Sequence, residues 1–204
     1  MTADQDLRRQ DEDGSRPRQS RLASFVSDSL GPLPSLSALC GAGALHSSVI
    51  VGVGWGLLAM FFAAILPYLV TWRVRHPAGD RRPSRTTRAA YMGLAVVTAA
   101  AGIAVLIPLG APSAVVKVTV TIMICLCVVA VTNALWRWSN HMAACAAGVA
   151  MLCVLFGWYG LIAAVALPAV AWARLQLGRH SRIELVLGAL CGAAVSGPVL
   201  AALL

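Results

Sequence analysis

The sequence predicts an all-α fold: a polytopic integral-membrane bundle of helices with six to seven membrane segments. Three observations lead there. The chain of 204 residues is 59% hydrophobic and only 12% charged, with a mean hydropathy of +0.78. Soluble domains average roughly 45–50% apolar and about 25% charged residues. The apolar residues fall in long, continuous Ala/Leu/Val-rich runs rather than in the short alternating segments of a β-barrel. The basic residues are confined to a few short stretches between those runs, which is the pattern of membrane topology. These features exclude a soluble globular domain, a disordered chain and a secreted module built on disulfides. The net charge of +8 would suggest nucleic acid in a soluble protein. Here it reads as topology, so membrane lipids are the expected partners and nucleic acid is not.

Taken in order, residues 1–22 are polar and mixed in charge, with no apolar stretch of a secretory signal. They read as a disordered cytoplasmic tail. Residues 23–204 then form one transmembrane domain. Phe25 to Leu45 is apolar but broken by Asp28, Pro32 and Pro34, which predicts a weak span, kinked or half-inserted. Ser48 to Val70 is a strong span of 23 residues, about 35 Å of helix. Thr71 to Arg88 is a polar loop. Ala89 to Leu109 and Ala114 to Leu135 are strong spans joined by the tight turn Gly110-Ala111-Pro112-Ser113. After a break at 136–140, a helix runs from His141 to Phe156, turns at Gly157 and Trp158, and returns to about Ala173. A polar stretch, 174–182, precedes the last span, Ile183 to Leu204.

With the N-terminus inside, the stretches on the inner side hold all fifteen arginines and the outer ones none. The lone lysine, Lys117, lies just inside a span near the outer face. This bias sets a multi-pass cell-membrane protein with a cytoplasmic N-terminus. It also brings loops 71–88, 136–140 and 174–182 to one face. The six cysteines all sit in apolar stretches without ligand-like spacing, so they read as reduced packing residues and no metal site is expected.

Few residues could carry chemistry. Glu184 is the single carboxylate side chain after Asp80, and it follows His180 by four residues, one helical turn. A carboxylate beside an imidazole fixes its tautomer and supports a histidine nucleophile or base. The ordinary alternative is an interfacial helix start with Glu184 paired to Arg182 or Arg179. Ser139, Asn140 and His141 open a span. Ser139 or Asn140 is an ordinary N-cap, and a helix N-terminus also attracts anions. Arg174 and the arginines of 71–88 are explained equally by positive-inside flanking. Trp136, Trp138, Trp158 and Trp172 read as aromatic-belt residues, and His46 and His76 as surface residues.

Together these pieces resemble a family signature. Arg174, five residues, His180, three residues, Glu184, then a Gly/Ala-rich span through Gly188 and Gly192 resembles the third motif of the type-2 phosphatidic acid phosphatase (lipid phosphate phosphatase) superfamily, Ser-Arg, five residues, His, three residues, Asp. Trp138-Ser139-Asn140-His141 resembles its second motif, Pro-Ser-Gly-His, also at a helix start. Arg75, six residues, Arg82-Pro83 resembles the first, with Arg in place of Lys. The resemblance runs from about Gly54 to Gly192 and is most specific in the third motif. Ala173, Glu184, Asn140, Trp138 and Arg75 differ from the motif residues, and two spans separate the first motif from the second. A divergent bacterial branch fits this pattern.

The resemblance implies a metal-independent hydrolase without cofactor. Its substrate would be a lipid phosphate: a polyprenyl phosphate, a polyprenyl diphosphate or a phosphorylated polyprenyl-linked sugar. His180 would attack phosphorus and form a phosphohistidine, Glu184 would orient its ring, and His141 would protonate the leaving alkoxide and then activate water. Arg174, Arg82 and Arg75, with Ser139, Asn140 and backbone amides, would hold the phosphoryl oxygens. Independently, phosphoryl transfer needs positioned positive charge, and arginine binds phosphate through two parallel N–H donors. Two other functions stay open: a catalytically impaired relative that binds lipid phosphates or scaffolds a membrane pathway, and a small transporter.

Overall fold

The computed structural model describes residues 20–47, 49–75, 85–135 and 138–204, all helices and the turns between them, with no strand among the described residues. The chain is an all-α membrane bundle. Four segments are long and apolar enough to cross a bilayer: Gly52–Thr71, Ser113–Thr132, Asn140–Gln176 and Arg182–Leu203. Ala90–Leu106 is a shorter apolar helix.

The N-terminal region divides where its helix breakers stand. A helix over residues 20–29 (α1) ends at Leu30 and Gly31, and Pro32–Ser47 (α2) follows. Proline suits the first turn of a helix, where its missing N–H costs nothing. Asp28 O accepts the Gly31 N–H and Gly31 O accepts that of Ser35, so the backbone stays bonded through the break. Residues 20–22, expected in the disordered tail, instead form the start of α1. Residues 1–19, the remainder of that expectation, lie outside the described residues.

Val49–Met60 (α3) passes through a π turn, Phe61–Ile65, into Leu66–Arg75 (α4). Pro67 has no N–H for the α-helical ladder, and the wider turn, with Leu66 N–H on Phe61 O, absorbs the missing bond. Arg85–Leu106 (α5) and Ser113–Leu135 (α6) form a hairpin around Gly110, whose φ is +79°. Asn140–Phe156 (α7) ends at Gly157, φ +62°, the left-handed region in which only glycine is unstrained. A 3₁₀ segment, Gly157–Val165, then folds back against α7, with Gly160 on the backbone of Leu152 and Cys153. Ala166–Gln176 (α8) completes the return, and Arg182–Leu203 (α9) closes the chain. The long apolar stretch 140–176 is therefore folded in two.

Two contacts set the architecture. α7 and α9 run parallel in near backbone contact: a Cβ on Gly188 would stand 2.6 Å from Ser139 O, and one on Gly192 would strike Ala143 O. One turn further along, Ser196 Oγ donates to Ala147 O at 3.2 Å. Small residues at every fourth position let membrane helices pack closely, where lipid supplies no hydrophobic drive between them. α2 runs in the same direction, with Gly31 near the start of α7 and His46 edge-on to Phe156 at its end, centroids 5.9 Å apart. The core between them is formed by Leu39, Val118, Ile122, Met151, Leu155 and Leu200. A smaller apolar layer, Met142, Cys145, Val170 and Leu185 with Leu30 packed on it, lies at the end where α7 and α9 begin. All six cysteines are free thiols.

Candidate functional site

The polar groups of interest are fixed first by helix capping. Ser139 caps α7, its Oγ accepting the Met142 N–H at 3.4 Å. Ser181 caps α9 in a reciprocal box: Ser181 Oγ accepts the Glu184 N–H at 3.3 Å, and Glu184 Oε2 accepts the Ser181 N–H at 2.9 Å. The two helix starts are tied together by the Ser139 N–H on Glu184 O at 3.1 Å. Thus Glu184 serves a cap, a helix–helix tie and, through its carboxylate, an imidazole.

That imidazole is His180. Its Nδ1 lies 3.2 Å from Glu184 Oε2, with the side chains 13% and 25% exposed. A proton on Nδ1 donates to the carboxylate, which leaves the lone pair on Nε2 and fixes the ring plane. Arg174 stands at the C-terminal end of α8 and is buried, 6% exposed. Just beyond it Gly178, φ +58°, turns the chain, with the Arg179 N–H on Arg174 O at 3.2 Å. The reversal keeps His180 close to Arg174 across only five intervening residues. Arg174, His180 and Arg179 all lie within electrostatic reach of His141. Arg179 and Asp28 lie within reach of Arg174.

The break between α1 and α2 supplies the remaining side. Arg174 Nη1 donates to the fully buried Ser27 Oγ at 3.3 Å. His141 Nε2 lies close to Gly31, 3.4 Å from where a Cβ would stand. Two buried donors at this end, Arg174 Nε and Trp138 Nε1, have no acceptor among the described residues. A buried N–H without a partner costs roughly 1–3 kcal/mol, and an anionic ligand would satisfy it.

Of the residues expected from sequence, His180, Glu184, His141 and Arg174 come together. Arg174 does so as a buried residue of α8 rather than as the start of a polar loop. Ser139 is fully buried and engaged as a cap. Asn140 directs its Nδ2 to Met92 Sδ of α5, at 3.8 Å. Arg75 ends α4 with its side chain outside those described, and Arg82 lies outside the described residues. Sequence reasoning missed Ser27 and Gly31, and it named Arg179 only as an alternative ion-pair partner of Glu184. Its place beside His180 in the chain was the signal that could have assigned Arg179 to the site; Ser27 had no chemical signal of its own. Among the described residues, no group of three or more His, Cys, Asp or Glu side chains could hold a metal. No family model, curated protein or solved structure matches this chain.

Proposed function

We propose that this chain is an integral-membrane lipid phosphatase that works through a phosphohistidine. The observation that carries the reading is the buried Arg174, with an unpartnered Nε–H, grouped with His141 and the carboxylate-paired His180. An oxyanion ligand satisfies that donor and places its phosphorus beside a polarised imidazole. The spacing that resembles the third lipid phosphatase motif supports the same reading.

In this mechanism His180 Nε2 attacks the terminal phosphorus while its bond to the leaving oxygen breaks, the alcohol oxygen of a monophosphate or the bridging oxygen of a diphosphate. Glu184 takes the hydrogen bond from Nδ1 and stabilises the positive charge that grows on the ring. His141 gives its proton to that departing oxygen. It then takes one from water, whose oxygen attacks the phosphohistidine and releases inorganic phosphate. Arg174 and Arg179 stabilise the charge that spreads over the equatorial oxygens. The arginine bias sets this end of the bundle on the cytoplasmic side. Substrates are polyprenyl mono- and diphosphates or phosphorylated polyprenyl-linked sugars, whose chains lie in the bilayer while their phosphate meets the helix ends.

The test is phosphate release by detergent-purified protein from farnesyl, geranylgeranyl and longer polyprenyl mono- and diphosphates and from phosphatidate, with and without chelator. The expected result is release that survives the chelator and is abolished by His180→Ala. Folded protein that releases phosphate from none of these lipids overturns the proposal and returns the reading to a lipid-phosphate-binding protein.

A further inference from the structure

We propose that the N-terminal helix α1 is part of the phosphate site, with Ser27 as the positioning residue that aims Arg174. The inference rests on the reading of Arg174 as a phosphate ligand and extends it to a segment outside every motif recognised in the sequence.

Three contacts and one nearby charge bring the α1–α2 break onto the site. Ser27 is fully buried and accepts a hydrogen bond from Arg174 Nη1 at 3.3 Å, across 147 residues of sequence. Leu30 packs on the apolar layer of Met142, Cys145, Val170 and Leu185 beneath the site. Gly31 lies against His141 Nε2. Asp28 is near enough to act on the Arg174 charge. These contacts reach α7, α8 and α9, so the break is anchored to all the elements that carry the candidate chemistry.

The hydrogen bond also selects which side of the guanidinium is presented. A guanidinium offers its five N–H donors in fixed directions. Nη1 lies on the side nearer Cδ, whereas Nε and Nη2 form the opposite edge, with parallel N–H bonds suited to two oxygens of one phosphoryl group. Ser27 occupies Nη1, and Nε is the buried donor that has no partner. The serine therefore holds the arginine from behind with its two-pronged edge turned to the anion. Without the serine hydroxyl, Nη1 becomes another buried donor without an acceptor, and the guanidinium is free to rotate about its side-chain torsions to find one. Binding geometry suffers first; the histidines are untouched.

The experiment compares wild type, Ser27→Ala, Ser27→Thr, Asp28→Asn and Arg174→Ala in detergent. Two readouts are used: steady-state phosphate release from a polyprenyl monophosphate, and the shift in melting temperature caused by inorganic phosphate. The expected result is a KM raised about 10-fold in Ser27→Ala with kcat within about three-fold, restored by Ser27→Thr, because about 1.4 kcal/mol of lost binding corresponds to a factor of 10. The phosphate-induced melting shift should be lost in Ser27→Ala and Arg174→Ala alike. Asp28 is exposed and acts on the Arg174 charge, so Asp28→Asn tests the influence of the α1–α2 break without disturbing a buried site; it should raise KM by less than Ser27→Ala. If Ser27→Ala keeps the wild-type KM and melting shift while Arg174→Ala loses both, the positioning role is wrong and the phosphatase reading stands. If wild type releases no phosphate from any lipid but its phosphate-induced melting shift depends on Ser27, the catalytic reading fails and the positioning role stands. If wild type shows neither release nor shift, both fall. Should Ser27→Ala not fold, Ser27→Thr and Asp28→Asn decide: wild-type KM and melting shift in Asp28→Asn, with an altered KM in Ser27→Thr, overturn the inference.

Discussion

At one end of the bundle the starts of α7 and α9, the end of α8 and the α1–α2 break gather two histidines, three arginines (Arg174, Arg179 and Arg182), Asp28 and Glu184. At the other end, the α5–α6 turn, the Gly157 turn and the end of α9 carry Lys117, a stacked Trp158–Tyr159 pair and His46 against Phe156. The same helices supply both ends, so the difference is not in the scaffold. It lies in how the helix termini are satisfied. At the first end the buried Ser139 caps α7 and an exposed capping box opens α9, so polar side chains and backbone groups satisfy one another. At the second, Gly110 and Gly157 turn the chain with positive φ and leave aromatic and aliphatic residues facing outward, whereas Gly178 at the first end leads straight into the Ser181 capping box. Capped helix ends can orient charge; a glycine turn between two apolar segments only reverses direction.

The largest way to test that division is at the paired imidazole. If His180 is the nucleophile proposed above, His180→Ala should reduce kcat by at least about 10³-fold while the melting temperature changes little. Loss of activity that parallels loss of folding would mean the pair is architectural. Glu184 allows a finer cut, because it holds both a cap and a ring. Glu184→Gln keeps an amide able to complete the capping box but carries no charge. It should lose about 10²- to 10⁴-fold in kcat at nearly unchanged stability. Glu184→Ala should lose a comparable factor and in addition about 0.5–2 kcal/mol of stability from the cap. Equal activity in Gln and wild type would reduce Glu184 to a capping residue.

A second pair of substitutions probes the packing that holds the first end together. Gly192 faces Ala143 O with no room for a methyl group, so Gly192→Ala should push α9 from α7 and cost about 1–3 kcal/mol. Activity should fall with it, because Ser139 and Glu184 are joined across the same interface. Gly197, further along the same helix, has its nearest neighbour, Ala150 Cβ, at 3.5 Å, an ordinary contact. Gly197→Ala should be neutral or stabilise by up to about 1 kcal/mol through helix propensity. Thermal unfolding of both variants checks the contrast. Equal destabilisation would show that the tight register does not belong to the site end alone.

The difference between the ends also explains what was legible in the sequence. The helices α6 and α9 follow from apolar length, and their bounds differ by a residue or so from expectation. The approach of His180 to Glu184 follows from a four-residue spacing, and the Ser139 cap from a polar residue before an apolar run, since both are local. The kink between α1 and α2 was signalled by Asp28, Pro32 and Pro34. The π turn before Pro67 was foreseeable only as a disturbance, because a proline in an apolar run states where a bond is missing and not how the chain absorbs it. The contact of Ser27 with Arg174 could not be read: a serine in a helix carries no sign of a partner 147 residues away. Long-range polar pairing depends on which helices end at the same depth, and that is a property of the assembled bundle.

The smallest expected effect is the one that closes the comparison. Lys117 Nζ donates to Leu204 O at 3.4 Å in an exposed contact at the far end of α6 and α9. An exposed polar contact of a long, flexible side chain is worth about 0–1 kcal/mol, because solvent competes and side-chain entropy opposes it. Lys117→Met should therefore leave phosphate release within about two-fold of wild type and shift the melting temperature only slightly. A large fall in kcat with folding intact would show that charge at the far end reaches the histidines through the parallel α7–α9 pair. The two ends would then be coupled rather than divided, and the rigid contact through Gly188 and Gly192 would be the first place to look for the link.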